Sequence, residues 1–303
     1  MLAPVLAVVV LVAGGVVYAN FERSRRRIVL ATTTSTYDSG LLDYLLPEFE
    51  RESGVRVEVV SVGTGQALAV ARSGDADVVL VHAREQEDQF VAEGHGVHRV
   101  CVMYNDFLVV GPPEDPAGVK GASVENAMAR LAEAGRAGNA TFFSRGDGSG
   151  THARELALWE TASVTVDPTS SWYLETGSGM GTTLTVASES GGYTLVDRGT
   201  WLSMKDSLDL QPVVEGDAAL LNPYGAILVN PQVHPSVNFE AAREFVAFLV
   251  SRRGQEAIGN FTKAGETLFH PSFGACNVTH GCPTTAEELA YWTEFNMGYR
   301  GGP

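Results

Sequence analysis

Residues 144–151 read Ser-Arg-Gly-Asp-Gly-Ser-Gly-Thr, between an apolar run that ends at Phe143 and an apolar pattern that starts after His152. This order predicts a strand, a tight loop and the first turn of a helix. The backbone N–H groups of a first turn have no partner inside the helix and carry partial positive charge. With the guanidinium of Arg145 beside them they favour a small oxyanion, although such an octet alone is also typical of a surface turn.

The same order of strand, polar loop and helix start recurs at three other places. Residues 32–40 precede leucines at helical spacing, residues 63–66 follow an alternating segment, and residues 175–183 form a further opening rich in glycine and hydroxyl groups. If all four openings face one cleft, they surround an anion with neutral donors and one arginine. The predicted oxyanion ligands are Thr34, Ser35, Thr36, Thr64, Gly65, Ser144, Arg145, Ser149, Gly150, Thr151 and Ser178.

Several segments, in this order along the chain, resemble the tungstate-binding proteins of ABC importers. The resembling segments include Ala-Thr-Thr-Thr-Ser-Thr at 31–36, Val-Gly-Thr-Gly-Gln at 62–66 and Tyr-Thr-Leu-Val-Asp-Arg-Gly-Thr at 193–200, and the likeness covers about residues 28–269. The resemblance implies a two-lobed fold like the type II periplasmic binding proteins, with tungstate or molybdate in the cleft between the lobes. It also implies an importer permease, and through it an ATPase, as partners. The octet alone is similar to phosphate-binding proteins as well, so it indicates an oxyanion and not which one.

The alternation of strands and helices from Ile28 to Val81 predicts an α/β protein with a parallel sheet. We expect each lobe to be a mainly parallel sheet with flanking helices. Two segments, near residues 104–111 and 224–230, are expected to cross between the lobes. The apolar spacing of residues 239–258 predicts one amphipathic helix.

The predicted organisation divides the chain into four parts. Residues 1–27 are a signal peptide or N-terminal membrane anchor, because an apolar run of about the length of a signal-peptide core or short membrane helix precedes four arginines. Arginines that follow the apolar run disfavour transfer of that side across the membrane. Both alternatives therefore remain open, a signal peptide that is cleaved and an anchor that is retained. Either outcome gives an extracytoplasmic location, in the periplasm or at the cell surface. The other parts are lobe one at 28–105 plus 226–275, lobe two at 106–225, and a C-terminal appendage at 276–303.

Composition limits the classes of function. A hydrophobic content of 45% over 303 residues is that of a globular protein with a sizeable core. The formal charge of −15 argues against nucleic acid as a partner, because no basic stripe is available to neutralise phosphates. The same charge repels an anion at long range, so binding must come from local dipoles and Arg145. We expect a monomer with no cofactor and no metal.

The three cysteines suggest one cross-link. Cys276 and Cys282 bracket a short loop that a disulfide closes in an oxidising compartment, and Cys101 is expected to be a buried, unreactive thiol. A zinc site that uses His280 or His270 is the alternative, although no fourth ligand stands at metal spacing.

Other functions stay open beside tungstate transport. The ligand can be molybdate, sulfate or phosphate, and an uncleaved N-terminal segment makes the chain a membrane-anchored oxyanion sensor. An enzyme that uses Ser149, His152 and Asp147 is disfavoured, because side chains crowded into one turn do not align as a proton relay. Protonated phosphate needs a buried acceptor, and we interpret Asp147 as the partner of Arg145 instead. The lack of another acceptor near His82 then favours tungstate, molybdate or sulfate.

Overall fold

The computed structural model describes residues 27–274 and 285–298. Residues 1–26 of the predicted export segment, together with Cys276 and Cys282, lie outside these ranges. Within them no helix has the length and apolar character needed to cross a membrane.

Strands and helices alternate along most of the described chain. The strands are β1 (Arg27–Thr33), β2 (Arg56–Val62), β3 (Val78–Val81), β4 (Gly96–Gly111), β5 (Phe142–Ser144), β6 (Tyr173–Glu175), β7 (Thr194–Asp197), β8 (Gln211–Val214), β9 (Leu221–Val229), β10 (Thr262–Lys263), β11 (Glu266–Thr267) and β12 (His270–Pro271). The helices are α1 (Thr34–Asp38), α2 (Leu41–Ser53), α3 (Thr64–Arg72), α4 (Arg84–Ala92), α5 (Val124–Arg136), α6 (Gly150–Thr161), α7 (Met180–Glu189), α8 (Arg198–Met204), α9 (Phe239–Val250), α10 (Arg252–Asn260) and α11 (Ala286–Gly298).

The long strand β4 belongs to both halves of the molecule. Its first part pairs with β9, and this pairing ends at Asp106 opposite Leu221. From Phe107 onward β4 pairs with β7 and β8 instead. We call the parts on either side of this change lobe one and lobe two. The change of partner lies between Asp106 and Phe107, and the chain returns to lobe one with β9, which begins at Leu221. The predicted lobe boundaries at residues 105 and 226 stay predictions.

The α/β fold with flanking helices is as predicted, but the sheets are mixed. In lobe one the strand order is β12-β4-β9-β3-β1-β2, and only the β1–β2 and β1–β3 pairs of this order are parallel. In lobe two β7 and β8 run antiparallel to β4, and β5 and β6 pair in parallel. The prediction of mainly parallel sheets is therefore wrong. Both crossing strands join the sheets in antiparallel orientation, which the apolar runs alone do not reveal.

Helix α2 shows how apolar spacing produces the core of lobe one. Leu41, Leu42, Leu45 and Phe49 lie on one buried face. The ring of Phe49 packs edge-on against Phe245 of α9, with 5.1 Å between the ring centroids. Fully burying such a side chain stabilises the fold by about 1.5–3 kcal/mol.

The single helix predicted over residues 239–258 is two helices. Helix α9 ends at Val250, and Ser251 has extended backbone dihedrals. The Ser251 hydroxyl accepts a hydrogen bond from the N–H of Gly254 at 3.1 Å and so caps α10. The break coincides with residues 251–256, Ser-Arg-Arg-Gly-Gln-Glu, which interrupt the apolar pattern, and a serine N-cap starts the new helix there. The prediction of one helix rested on the apolar residues on either side of this stretch and missed the serine N-cap within it.

The described part of the C-terminal segment is integrated into the core. Trp292 of α11 is fully buried and its indole N–H donates to the carbonyl of His98 at 2.9 Å. The ring of Tyr291 stacks on His98, with 3.6 Å between centroids. Helix α11 therefore packs against the side of β4 through its buried tryptophan, and the division that sets residues 276–303 apart stays a prediction.

Cys101 corrects the cysteine prediction. In the structure Cys101 is disulfide-bonded, so the expectation of a free thiol is wrong. The chain contains three cysteines, and the two others lie outside the described residues. The predicted pairing of Cys276 with Cys282 falls on those residues.

Candidate functional site

A cleft with a volume of about 780 Å³ lies between the two lobes. The first turns of α1, α3 and α4 line it from lobe one, and those of α6, α7 and α8 from lobe two. Gly63 and Gly179, the N-caps of α3 and α7, have no side chain to cap the helix. The first turns of both helices therefore begin at the cleft lining without a side-chain cap from these residues, and a helix start carries N–H donors and partial positive charge.

Most of the predicted ligands meet at this cleft. Eight of them line it: Thr34, Ser35, Thr64, Gly65, Arg145, Ser149, Gly150 and Thr151. The fourth predicted opening also reaches the cleft, through Gly179, Met180 and Gly181 rather than through Ser178. Four separate stretches of sequence thus converge on one space, as the four helix openings predicted.

Three predicted ligands are absent from the described cleft lining, because neighbouring groups engage their hydroxyls. The Thr36 hydroxyl is 2.6 Å from that of Thr33. Ser144 donates to Glu155 Oε2 at 2.7 Å, and Ser178 donates to the Thr176 carbonyl at 3.1 Å. All three positions stabilise the loops instead of facing the cleft. Sequence spacing places them in the right loops but does not give the direction of their side chains.

The octet of residues 144–151 is a fixed turn. It starts at the end of β5, where Phe142 packs edge-on against Trp159 of α6 with 5.0 Å between centroids. Gly146 has a φ of 58°, and a Cβ there would lie 2.6 Å from that of Glu175, so only glycine fits. The Ser149 hydroxyl accepts from the N–H of His152 at 3.3 Å and caps α6.

Arg145 and Asp147 form an ion pair inside this loop. Arg145 Nη2 lies 2.5 Å from Asp147 Oδ2, and Asp147 Oδ1 accepts from the N–H of Ser149. Burial opposes ionisation of Asp147, but hydrogen bonds from Ser149 and the charge of Arg145 outweigh it and lower the pKa of this carboxyl. Asp147 is the partner of Arg145 that we predicted. The charge of Arg145 at the cleft is therefore largely compensated.

The geometry does not support a proton relay at this loop. The Nδ1 atom of His152 accepts from the backbone N–H of Gly148 at 3.0 Å, and the Ser149 hydroxyl contacts the backbone of His152 rather than its ring. A nucleophile needs its base within hydrogen-bond distance of its hydroxyl. Ser149, His152 and Asp147 therefore act as a cap and a turn.

Glu155 is a buried carboxylate that supports the loop from below. Its side chain is 2% exposed and accepts from Ser144 Oγ, from Tyr173 Oη at 2.7 Å and from Trp159 Nε1 at 3.2 Å. Burial raises the pKa of Glu155 to about 7, although these three donors favour the ionised form. The Ser144 hydroxyl also accepts from the N–H of Gly146, so Glu155 holds the start of the octet.

The raised pKa of Glu155 makes stability depend on pH. The folded protein keeps a proton on Glu155 that the unfolded chain loses near pH 4.5. The contribution of Glu155 to stability is therefore full below about pH 4.5 and is lost as pH rises toward 7. The unfolding free energy of the wild type should fall by about 3 kcal/mol relative to that of Glu155→Gln across this window. Urea unfolding at pH 4.5 to 8 measures the difference, with the exposed Glu160→Gln as the control. A difference that stays constant with pH contradicts the prediction.

Several residues line the cleft that were not among the predicted ligands. These are mainly Arg84, Arg154, Lys263, Asn222 and His82. The Nδ1 atom of His82 is 3.1 Å from Asn222 Oδ1, and burial lowers the pKa of this imidazole even though Asp197 opposes the shift. His82 follows the buried strand β3, and positions that follow parallel strands are where ligand sites form in α/β proteins. The place of His82 directly after this strand is therefore the sequence signal that indicates it as a cleft residue.

Carboxylates also line the cleft, contrary to the expectation that Asp147 is its only acidic acceptor. Asp38, Glu85 and Asp197 are all in its lining. Both oxygens of Asp197 accept from Thr200, one from its N–H and one from its hydroxyl. The expected lack of an acceptor other than Asp147 is therefore wrong for the cleft as a whole. Among the described residues, no group of three or more histidine, cysteine or acidic side chains is placed to hold a metal ion.

Comparison with known proteins shows the family to which this chain belongs. The PBP superfamily domain matches residues 20–253. The tungstate-binding protein TupA of Peptoclostridium acidaminophilum is 46% identical over 255 residues, which are 82% of this chain and 87% of that protein.

Two solved structures resemble this one at similar identity. The tungstate-binding protein TupA from Desulfovibrio alaskensis G20 has a TM-score of 0.76 and 44% identity, and the match covers 81% of this chain and 98% of that one. The structure described as the tungstate ABC transporter from Geobacter sulfurreducens has a TM-score of 0.69 and 48% identity, with 78% and 98% covered. Both matches thus cover nearly the full length of the neighbour.

Proposed function

Since this chain belongs to the PBP superfamily and, within it, to the tungstate-binding proteins of ABC transporters, we propose that it captures tungstate in the interlobe cleft and delivers it to an importer permease. The observation that carries this proposal is the convergence of six helix N-termini and Arg145 on one cleft. Molybdate, which has the same charge and nearly the same size, is a second ligand of the same site.

Local donors can hold a dianion in spite of the negative charge of the chain. Distant surface charges are screened over about 8–10 Å at physiological ionic strength. The first-turn N–H groups, the hydroxyls of Ser35, Thr64 and Thr151, and the guanidinium of Arg145 act at contact distance in a partly desolvated space. Hydrogen bonds to a charged group are stronger than those between neutral groups, so the short-range donors dominate.

The two crossing strands supply the hinge for capture. Where β4 changes partner, Asn222 Nδ2 donates to Asn105 Oδ1 at 2.8 Å, and Asn222 itself lines the cleft. Rotation about this point brings the loops of both lobes onto the anion, a closure that two-lobed proteins use. The closed form is what a permease, with its ATPase, recognises at the extracytoplasmic face of the membrane. In this proposal the chain binds and releases its ligand unchanged and is not an enzyme.

Calorimetric titration of desalted protein with four anions tests the proposal. We expect tungstate to bind most tightly, molybdate equally or less tightly, and sulfate and phosphate far more weakly, because the larger oxyanions suit a ring of many N–H and O–H donors. Tight phosphate binding without a response to tungstate contradicts the ligand assignment. Hydrolysis of an ester or phosphoester reporter, which we expect to be absent, contradicts the assignment as a binding protein.

A further inference from the structure

Arg154 is a cation at the cleft whose charge is not paired with an acid in the described part of the chain. It stands on the second turn of α6 and lines the cleft. Its Nη2 atom donates to the backbone carbonyls of Ala219 and Leu221, the second at 3.3 Å. Its Nε atom is buried and has no hydrogen-bond partner among the described residues.

Arg145 also has a buried Nε atom without a hydrogen-bond partner among the described residues, but the other cations of the cleft differ from Arg154 in the groups that engage them. Arg145 is paired with Asp147 at 2.5 Å and Arg84 with Asp88 at 2.7 Å. Lys263 donates to the carbonyls of Asp38 and Ser39. Arg154 combines an unpaired charge with a buried N–H donor that has no acceptor.

That combination is unfavourable without a ligand. Burial works against the charged guanidinium and lowers its pKa, and in this case no carboxylate counteracts the effect. A buried donor without an acceptor costs free energy, and a partly desolvated charge without a counter-ion costs more. Both costs are relieved if an anion in the cleft accepts from Nε and neutralises the charge.

We propose that Arg154 is a second anion-binding cation of this cleft and that its uncompensated charge makes the site prefer dianions to monoanions. The inference rests on the proposed function, since it assigns a further ligand to the same oxyanion site. Arg145 supplies directional donors, but Asp147 offsets its charge. Arg154 supplies a positive charge that no acidic side chain among the described residues pairs with. Its contact with Leu221 also links the anion to the first residue of the crossing strand β9.

The test compares two tetrahedral oxyanions of similar shape and different charge, tungstate with two negative charges and perrhenate with one. Titration calorimetry measures both on the wild type, Arg154→Gln, Arg154→Lys and Arg130→Gln. Arg130 is the matched control, because it also donates to a backbone carbonyl of lobe two, that of Gly118 at 2.8 Å, and it is not in the cleft lining.

We expect Arg154→Gln to weaken tungstate at least tenfold and perrhenate less than threefold, so that the preference for the dianion falls. Arg154→Lys should keep most of that preference, because the charge remains, and Arg130→Gln should bind both anions like the wild type. An equal loss for both anions, or tungstate binding within threefold of the wild type in Arg154→Gln, overturns the inference.

Two further outcomes separate the inference from its premise. Thermal unfolding shows whether Arg154→Gln folds. If it does not, Arg154→Lys provides the test, because this variant keeps the positive charge. A loss of the preference for tungstate over perrhenate in Arg154→Lys then contradicts the inference. Wild-type protein that binds neither tungstate nor molybdate overturns the proposed function itself. If the wild type binds tungstate and Arg154→Gln binds it equally well, only the role of Arg154 is overturned.

Discussion

Replacing Arg145 with alanine should weaken tungstate binding at least thirtyfold. Truncating one partner of a buried charge interaction costs about 2–5 kcal/mol. The structure adds a second reason, because the substitution leaves the carboxylate of Asp147 without its partner in the loop that faces the anion. Repulsion between Asp147 and the dianion then adds to the loss of the Arg145 donors. Titration calorimetry on folded protein measures the change.

Companion variants separate the two reasons. Adding Asp147→Asn to Arg145→Ala should recover part of the affinity, since the unpaired carboxylate is removed. Arg145→Lys should also recover only part, because the planar fork is lost. Thr151→Ala and Ser35→Ala should each cost about 1–2 kcal/mol, as neutral donors do. An Arg145→Ala protein that folds normally and binds tungstate within threefold of the wild type would move the site away from residues 144–151.

The largest effect on stability is expected at Glu87. Glu87 and Arg99 are an ion pair with 2.8 Å between Oε2 and Nη2, and their side chains are 1% and 2% exposed. The other carboxylate oxygen of Glu87 accepts from the N–H of Ala83. Glu87→Gln removes the charge that compensates Arg99, and an unpaired buried charge costs about 3–5 kcal/mol. The unfolding free energy measured with urea should fall by that amount.

The main chain of β9 packs closely against Glu87. A Cβ atom on Gly225 would lie 2.2 Å from Glu87 Oε2, so β9 passes directly against the pair. Glu93→Gln is the control, because Glu93 forms an exposed pair with Arg72 at the end of the same helix and should leave stability close to that of the wild type. Equal effects of the two substitutions contradict the role assigned to burial.

The sequence predicted the parts of this protein that local chemistry determines. Glycine- and hydroxyl-rich openings gave helix N-termini at Thr34, Thr64, Gly150 and Met180, and all four line the cleft. N–H groups at a helix start are fixed by the backbone, so their direction follows from the helix itself. For that reason the cleft and its preference for an anion could be predicted without knowing the packing.

Side-chain direction and long-range pairing were not predictable in the same way. Ser144 is in the right loop, but its hydroxyl donates to Glu155, eleven residues further along the chain. Arg154 reaches the cleft because α6 lies beside the returning chain at Leu221. The Cys101 disulfide likewise depends on which segments the fold brings together. Each of these depends on tertiary contacts that neither spacing nor composition encodes.

The position of β9 has a consequence for how the chain is made. β9 lies between β3 and β4 in the sheet, although the whole of lobe two separates it from β4 in the sequence. During synthesis β3 and β4 therefore emerge without the strand that joins them, and the edges of both that face β9 stay unpaired until residue 229 is available. Pairings between distant segments slow folding and expose strand edges to aggregation. Lobe two can form its own sheet with the second part of β4 before that point. In the nascent chain, lobe two therefore completes its sheet before lobe one does.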